Sequence, residues 1–201
     1  MNHPPLLRPR AVLFDMDGTL TEPLLDFDAI RAELEIAPGA PILEAIAAMP
    51  AARRASAMAI LHRHEDDAAQ RATLNPGCHD LLDWLRRQSI RNAIITRNSR
   101  TCADIVVRLH GLSVDALITR DDDLPFKPDP AGLLEACRRL GVQPEHAWMV
   151  GDAVFDIQAG HRAGMHTVWL SHGRPLTFQP APHRTVDTLT ALHEALDACT
   201  A

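Results

Sequence analysis

The chain has 201 residues, an apolar fraction of 46% and a formal net charge of -6, proportions that suit one well-buried core with room for a modest insertion. No apolar run reaches the ~20 residues of a membrane span, the first ten residues lack an apolar signal-peptide centre, and no basic stripe is present to grip a nucleic-acid backbone. Cys78, Cys102, Cys137 and Cys199 form no C-x-x-C pair, which fits reduced thiols and a cytoplasmic location better than a disulfide framework or a zinc site.

In chain order, the first element is the apolar run Ala11-Val12-Leu13-Phe14, a buried strand that ends on Asp15-Met16-Asp17-Gly18-Thr19. Two carboxylates thus stand where a strand gives way to a turn, and Gly18 permits a sharp turn there. Taken alone, these residues read better as a solvated turn than as a site of chemistry. From Thr21 to Thr73 no strand-like run occurs. Helical patterns near Asp26–Leu34, Pro41–Ala48 and Ala51–Thr73 are separated by the Ala37-Pro38-Gly39 and Met49-Pro50 breaks. Because this segment leaves just after Asp17 and returns at Asn75-Pro76-Gly77, it is expected to sit over the strand ends as a lid. Apolar runs at Ala93–Ile95, Ala116–Ile118, Trp148–Val150 and Thr167–Leu170, with a weaker one at Thr185-Val186, then alternate with helical patterns at Cys78–Gln88, Thr101–His110, Pro130–Leu140 and Phe155–Ala163. Gly111 and Gly141 stand in helix-stop positions. This alternation predicts βα units and a mostly parallel sheet whose strands end on one rim.

The residues after successive strands are chemically complementary. Thr96 follows the second strand, with Arg97-Asn98-Ser99 opening a helix, so a hydroxyl and free N–H groups can meet an anion together. Lys127 follows the third, beyond the acidic loop Asp121-Asp122-Asp123. It is the single lysine of a chain with 19 arginines; codon bias or a need for a compact ammonium explains that equally well. Gly151-Asp152-Ala153-Val154-Phe155-Asp156 follows the fourth. Carboxylates from Asp15, Asp152 and Asp156 would repel one another, and a phosphate, by a few kcal/mol per pair at an effective dielectric of ~20. Hard oxygen donors of this kind suit Mg²⁺, which commonly bridges protein carboxylate to substrate phosphate. Together with Lys127 it would offset the three negative charges.

These four motifs, Asp15-Met16-Asp17-Gly18-Thr19, Thr96, Lys127 and Gly151-Asp152 with Asp156, stand in one order over nearly the whole chain, and in this the sequence resembles the haloacid dehalogenase superfamily, specifically its phosphoglycolate phosphatase-like subgroup with a small helical cap. The resemblance implies an α/β, doubly wound (Rossmann-like) parallel-sheet core over 1–20 and 75–201, with the cap at 21–74. It implies a magnesium-dependent phosphatase of small phosphomonoesters in which Asp15 is the nucleophile that forms an aspartyl-phosphate. Asp17 is then the general acid and later base, Thr96 and Arg97 hold the phosphoryl oxygens, and Lys127 steadies nucleophile and phosphate charge. Asp15, Asp152 and the Asp17 carbonyl are the implied metal ligands, with Asp156 ligating directly or orienting a bound water.

Within that superfamily, Asp17 argues against dehalogenases, since a leaving halide needs no proton, and a cap without lysine argues against phosphonatases. A β-phosphoglucomutase-like sugar-phosphate mutase and a non-catalytic phosphate-binding protein of the same fold stay open as alternatives. The expected partner is a small phosphorylated metabolite, with neither nucleic acid nor membrane, in a monomer or weak dimer. Arg97 departs from the small residue or Asn often found beside the second-motif hydroxyl in phosphoglycolate phosphatases; this sets Arg97 and Asn98 as candidate substrate contacts and counts against phosphoglycolate. Arg53, Arg54 and Arg63 of the cap are candidates to meet an anionic substrate tail. His62-Arg63-His64-Glu65 reads better as a solvated helix face than as a metal or substrate site, Asp121-Asp122-Asp123 as an exposed loop, and Gly160 and Gly164 as points of close helix-to-strand packing.

Overall fold

The six apolar runs become strands β1 (Ala11–Phe14), β2 (Arg91–Ile95), β3 (Ala116–Ile118), β4 (Ala147–Gly151), β5 (His166–Leu170) and β6 (Arg184–Val186) in a computed structural model that describes residues 8–23 and 25–199. All pair in parallel in the order β3-β2-β1-β4-β5-β6, so the direction of winding reverses between β1 and β4. A crevice opens at such a reversal, beyond the carboxyl ends of the strands.

The central strands are buried on both faces, which is why β1 and β4 read as unbroken apolar runs instead of alternating ones. Val12 and Phe14 of β1, with Trp148 and Val150 of β4, face one cluster built with α4 (Cys78–Arg87), α5 (Arg100–His110) and α8 (Leu189–Asp197). Ala11, Leu13, Ala147 and Met149 face the opposite cluster, against α6 (Ala131–Leu140) and α7 (Val154–Arg162). Gly111 and Gly141 end α5 and α6 in the left-handed conformation, as their helix-stop positions predict. Helix α8 was not among the expected elements, although its signal is present: Thr188 caps it by accepting from Ala191 N, and Leu189, Leu192 and Leu196 form a buried stripe.

Between β1 and α4 lie α1 (Phe27–Glu33), α2 (Ile42–Ala48) and α3 (Ala51–Gln70), with their own apolar cluster of Ile30, Leu34, Ile42, Ile46, Ala57 and Leu61. The far end of α3 is different, since Ala69 joins the cluster on the sheet. Helix α3 stops at Gln70, short of the expected Thr73, because the following residues pair with the outgoing chain. Glu22 N donates to Thr73 O at 2.9 Å and Asn75 N to Leu20 O at 2.9 Å, while Asn75 Nδ2 bonds Thr19 O and Thr21 O at 2.8 and 3.0 Å. The two ends of the helical segment are therefore clasped side by side, directly above the β1 terminus. Gly160 sits against β4 and β5 as expected: a Cβ there would lie 2.5 Å from Thr167 Cγ2 and 3.1 Å from Met149 Cβ. The packing expectation for Gly164 is corrected, because none of the described residues lies within 4 Å of its Cβ position and its φ of +72° is what calls for glycine.

Candidate active site

The reversal between β1 and β4 brings Asp15 and Asp152 to one place. Asp15 N still continues the sheet, donating to Val150 O at 2.9 Å, while its carboxylate leaves the strand end. Lys127 Nζ, 3% exposed, donates to Asp15 Oδ1 and to Asp156 Oδ1, both at 2.6 Å. Asp156 sits in the first turn of α7, where its Oδ2 accepts from Ala153 N at 3.0 Å. Two glycines make this convergence possible. A Cβ at Gly151 would stand 2.2 Å from the Asp156 carboxyl carbon, and one at Gly18, at φ +81°, would stand 2.8 Å from the Asp152 carboxylate.

Electrostatics distinguishes the site from an ordinary ion pair. Burial pushes the Asp15 carboxyl up to about 8 against the pull of Lys127, and repulsion from Asp156 and Asp152 adds to the rise. Asp152 is raised as well, by burial and then by Asp156. Burial alone would lower Lys127, but Asp15 and Asp156 hold its ammonium above the usual range. Carboxylates gathered this way call for more positive charge than Lys127 supplies. One oxygen from each of Asp15, Asp152 and Asp156 lies within 4.8 Å of the others, a hard-donor set that fits a divalent cation. Asp156 shares its oxygens with Lys127 and Ala153, so it supports the set as much as it offers a ligand.

These groups form the floor of a 280 Å³ cavity that Asp17, Thr96, Arg97 and Asn98 also line. Thr96 is buried and its Oγ1 accepts from Asn98 N at 3.1 Å, which shapes the turn into α5. Arg97 lines the cavity, but its guanidinium has another employment than the expected phosphate contact. Its Nη2 donates to both Glu44 oxygens at 2.7 and 2.8 Å, its Nη1 to Lys127 O at 3.0 Å, and it lies over the Phe155 and Phe126 rings at 4.6 and 5.0 Å. It bridges α2 to the strand ends.

The candidate arginines Arg53, Arg54 and Arg63 are not among the cavity-lining residues; Arg53 pairs with Glu35, Arg54 bonds Met49 O and Arg63 pairs with Glu33. These partners, all within the helical segment, hold the three side chains away from the cavity lining. His64 also pairs with Glu33, whereas Glu65 departs from the solvated-face reading: it is 2% exposed and forms a two-pronged pair with Arg120, Nη1–Oε1 and Nη2–Oε2 both 2.6 Å. The acidic loop splits likewise. Asp121 accepts from Arg100 N, and Asp122 accepts from Thr119 N and Oγ1, so both support the loop after β3.

Arg120 and Arg174 were missed at the level of sequence. Arg174 Nη2 reaches Asp152 Oδ2 at 3.1 Å, and Trp169 Nε1 donates to Asp152 O at 3.0 Å. Arg120 could have been found from its place two residues beyond β3. Glu65 could have been found from its spacing, since it falls on the Ala57-Leu61-Ala68-Ala69 stripe of α3 that faces inward.

Comparison with known proteins agrees with this geometry. The family model of haloacid dehalogenase-like hydrolases matches residues 9–164. A phosphoglycolate phosphatase of Pseudomonas putida is 34% identical, the match covering 92% of this chain and 78% of that protein. An N-acetylmuramic acid 6-phosphate phosphatase of the same species is 30% identical over 83% and 85% of the two chains. Among solved structures, a hydrolase from Pseudomonas syringae superposes with a TM-score of 0.80 at 23% identity, covering 94% of this chain and 98% of that one. No helix of the described residues is long and apolar enough to cross a membrane. With the family's model spanning most of the chain and a doubly wound sheet presenting the four motifs at its strand ends, this protein belongs to the haloacid dehalogenase-like hydrolases.

Proposed function

We propose that the chain is a magnesium-dependent phosphatase that hydrolyses small phosphomonoesters through an aspartyl-phosphate on Asp15. The observation that carries this reading is the buried Asp15 carboxylate, held through one oxygen at 2.6 Å by Lys127 at the floor of a cavity that also holds Asp17 and Thr96. The second Asp15 oxygen attacks phosphorus as the bond to the leaving oxygen breaks, and Asp17 gives that oxygen a proton. Asp17 then takes a proton from the water that attacks the aspartyl-phosphate, returning Asp15 as a carboxylate and releasing phosphate. Thr96 Oγ and the adjacent backbone hold phosphoryl oxygens, while Lys127 offsets their charge during both transfers. Bound by Asp15 and Asp152, with Asp156 in support, Mg²⁺ would favour the ionised form of Asp15 and neutralise phosphate charge.

Residues 21–74 serve in this reading as the cap over a core of 1–20 and 75–201, which the separate apolar cluster of α1 to α3 supports. Related enzymes named for phosphoglycolate and for N-acetylmuramic acid 6-phosphate support a small phosphorylated metabolite as the substrate. Four free cysteines, three of them buried, support a reducing, cytoplasmic setting.

The test is phosphate release from a panel of small monoesters by purified protein, with Mg²⁺ and after chelation. Release should require the cation and fall by about 10³-fold or more in Asp15→Asn. No release from any ester, or undiminished release by Asp15→Asn, overturns the assignment.

A further inference from the structure

Resting on the phosphatase reading of this cavity, we propose that its substrate is a monophosphate ester of an uncharged, apolar primary alcohol, of the aryl-methyl or branched-alkyl kind. The floor of the cavity is ionic, but the wall facing it is mostly apolar, with Arg31 and Glu65 its charged members from the helical segment. Among the described residues, the helical segment contributes Pro23, Leu25, Phe27, Ile42, Leu43 and Leu61 to that wall. Phe27 lines the cavity and is 44% exposed, with the Arg31 guanidinium 6.0 Å from its ring centre. The leaving group of a phosphate seated on Asp15 must point toward this wall, since the phosphoryl group occupies the strand-end side.

A carboxylate or a polyol in that position would need partners, and the cations lining the cavity already have theirs. Arg97 is taken by both Glu44 oxygens and by Lys127 O. Arg120 is taken by Glu65 through two 2.6 Å bonds, and Arg31 by Asp28 at 2.8 Å and Ala40 O at 3.0 Å. To recruit Arg120, a substrate carboxylate would have to displace Glu65 and leave it buried and charged without a counterion, the costliest outcome for such a pair. Hydroxyls of a sugar beyond the reach of Asn98 would lose water against the apolar wall without regaining hydrogen bonds. An apolar leaving group meets neither penalty and covers Phe27, Leu43 and Leu61 instead.

The experiment measures kcat/KM with Mg²⁺ for benzyl phosphate, isopentyl phosphate, phosphoglycolate, glycerol 3-phosphate and glucose 6-phosphate. All are esters of primary alcohols, so the comparison reports leaving-group recognition more than bond reactivity. Benzyl or isopentyl phosphate should exceed the other three by about tenfold or more. Phe27→Ser should reduce the benzyl-to-glycerol preference by about fivefold, whereas Leu109→Ser, an exposed leucine on α5 that does not line the cavity, should keep it. A spread within about threefold, a preference for phosphoglycolate or a polyol phosphate, or an unchanged preference in Phe27→Ser overturns the substrate class and leaves the phosphatase reading intact. Absence of release from every ester overturns both.

Discussion

Replacing Glu65 by Gln removes the charge that balances Arg120, a guanidinium only 6% exposed, and keeps nearly the same shape. At ~4 Å between charge centres and an effective dielectric of ~20, the lost attraction is about 4 kcal/mol. The Gln carbonyl can still accept one bond, returning about 1 kcal/mol. Asp121, whose Oδ1 lies 3.9 Å from Arg120 Nε but whose side chain is half exposed, returns about 0–1 kcal/mol. The net loss is about 2–3 kcal/mol, which for a chain of this size lowers Tm by about 4–12 °C. Circular-dichroism melting of the parent, Glu65→Gln and the double variant Glu65→Leu with Arg120→Met would measure it. The double variant should recover most of the loss, because it removes both charges from a site already lined by Leu61 and Ala68. The reasoning fails if Glu65→Gln melts within about 1 °C of the parent, or if the double variant is no more stable than the single one.

Gly160→Ala should cost about 1–3 kcal/mol in urea unfolding, because its Cβ would be driven against Thr167 Cγ2 and Met149 Cβ; a neutral result would mean that α7 shifts freely on the sheet. Arg174→Gln should tighten half-saturation by Mg²⁺ about two- to fivefold, since it withdraws a half-exposed cation from Asp152 Oδ2, and a weaker response to Mg²⁺ would count against Asp152 as a ligand. His166 predicts acid sensitivity. Burial, aided by His183, Arg184 and His161, holds it down to about 4, and its Nε2 is buried without a hydrogen-bond partner among the described residues. The unfolded chain therefore binds the proton more tightly, so stability from neutral His166 is present above its ordinary value of 6.5 and is lost as pH falls from there toward about 4. His166→Phe, which keeps a ring against Trp148, should flatten the decline of Tm over that window. Parallel declines in the two proteins would show that His166 does not carry the effect.

Much of this protein was legible one element at a time. A strand buried on both faces must be apolar throughout, so Ala11–Phe14 announced a central strand, and the alternation with helices announced a parallel sheet. The four motifs were legible because a strand end places the next residue at the rim, whatever the rest of the chain does. Asp15, Thr96, Lys127, Asp152 and Asp156 needed only the order of the strands to be brought together. Helix α8 carries a local signal too, in its Thr188 cap and its leucine stripe.

Contacts between distant segments were not legible in this way. Arg97 was expected to face the substrate from its neighbours in the chain, yet Glu44, 53 positions away, decides where its guanidinium goes. Arg53, Arg54 and Arg63 are arginines on a helix by composition alone, and Glu35, Met49 O and Glu33 turn them away from the cavity. Long polar side chains have many rotamers of similar energy, so their direction is set by whichever opposite charge the fold brings within reach. The elements, the order of the strand ends and the chemical kinds of group on the rim can all be read along the chain, because periodicity and turn chemistry are local. Which charges cancel, leaving an ionic floor beneath a mostly apolar wall, is settled by the fold, because it depends on distances between segments far apart in the chain.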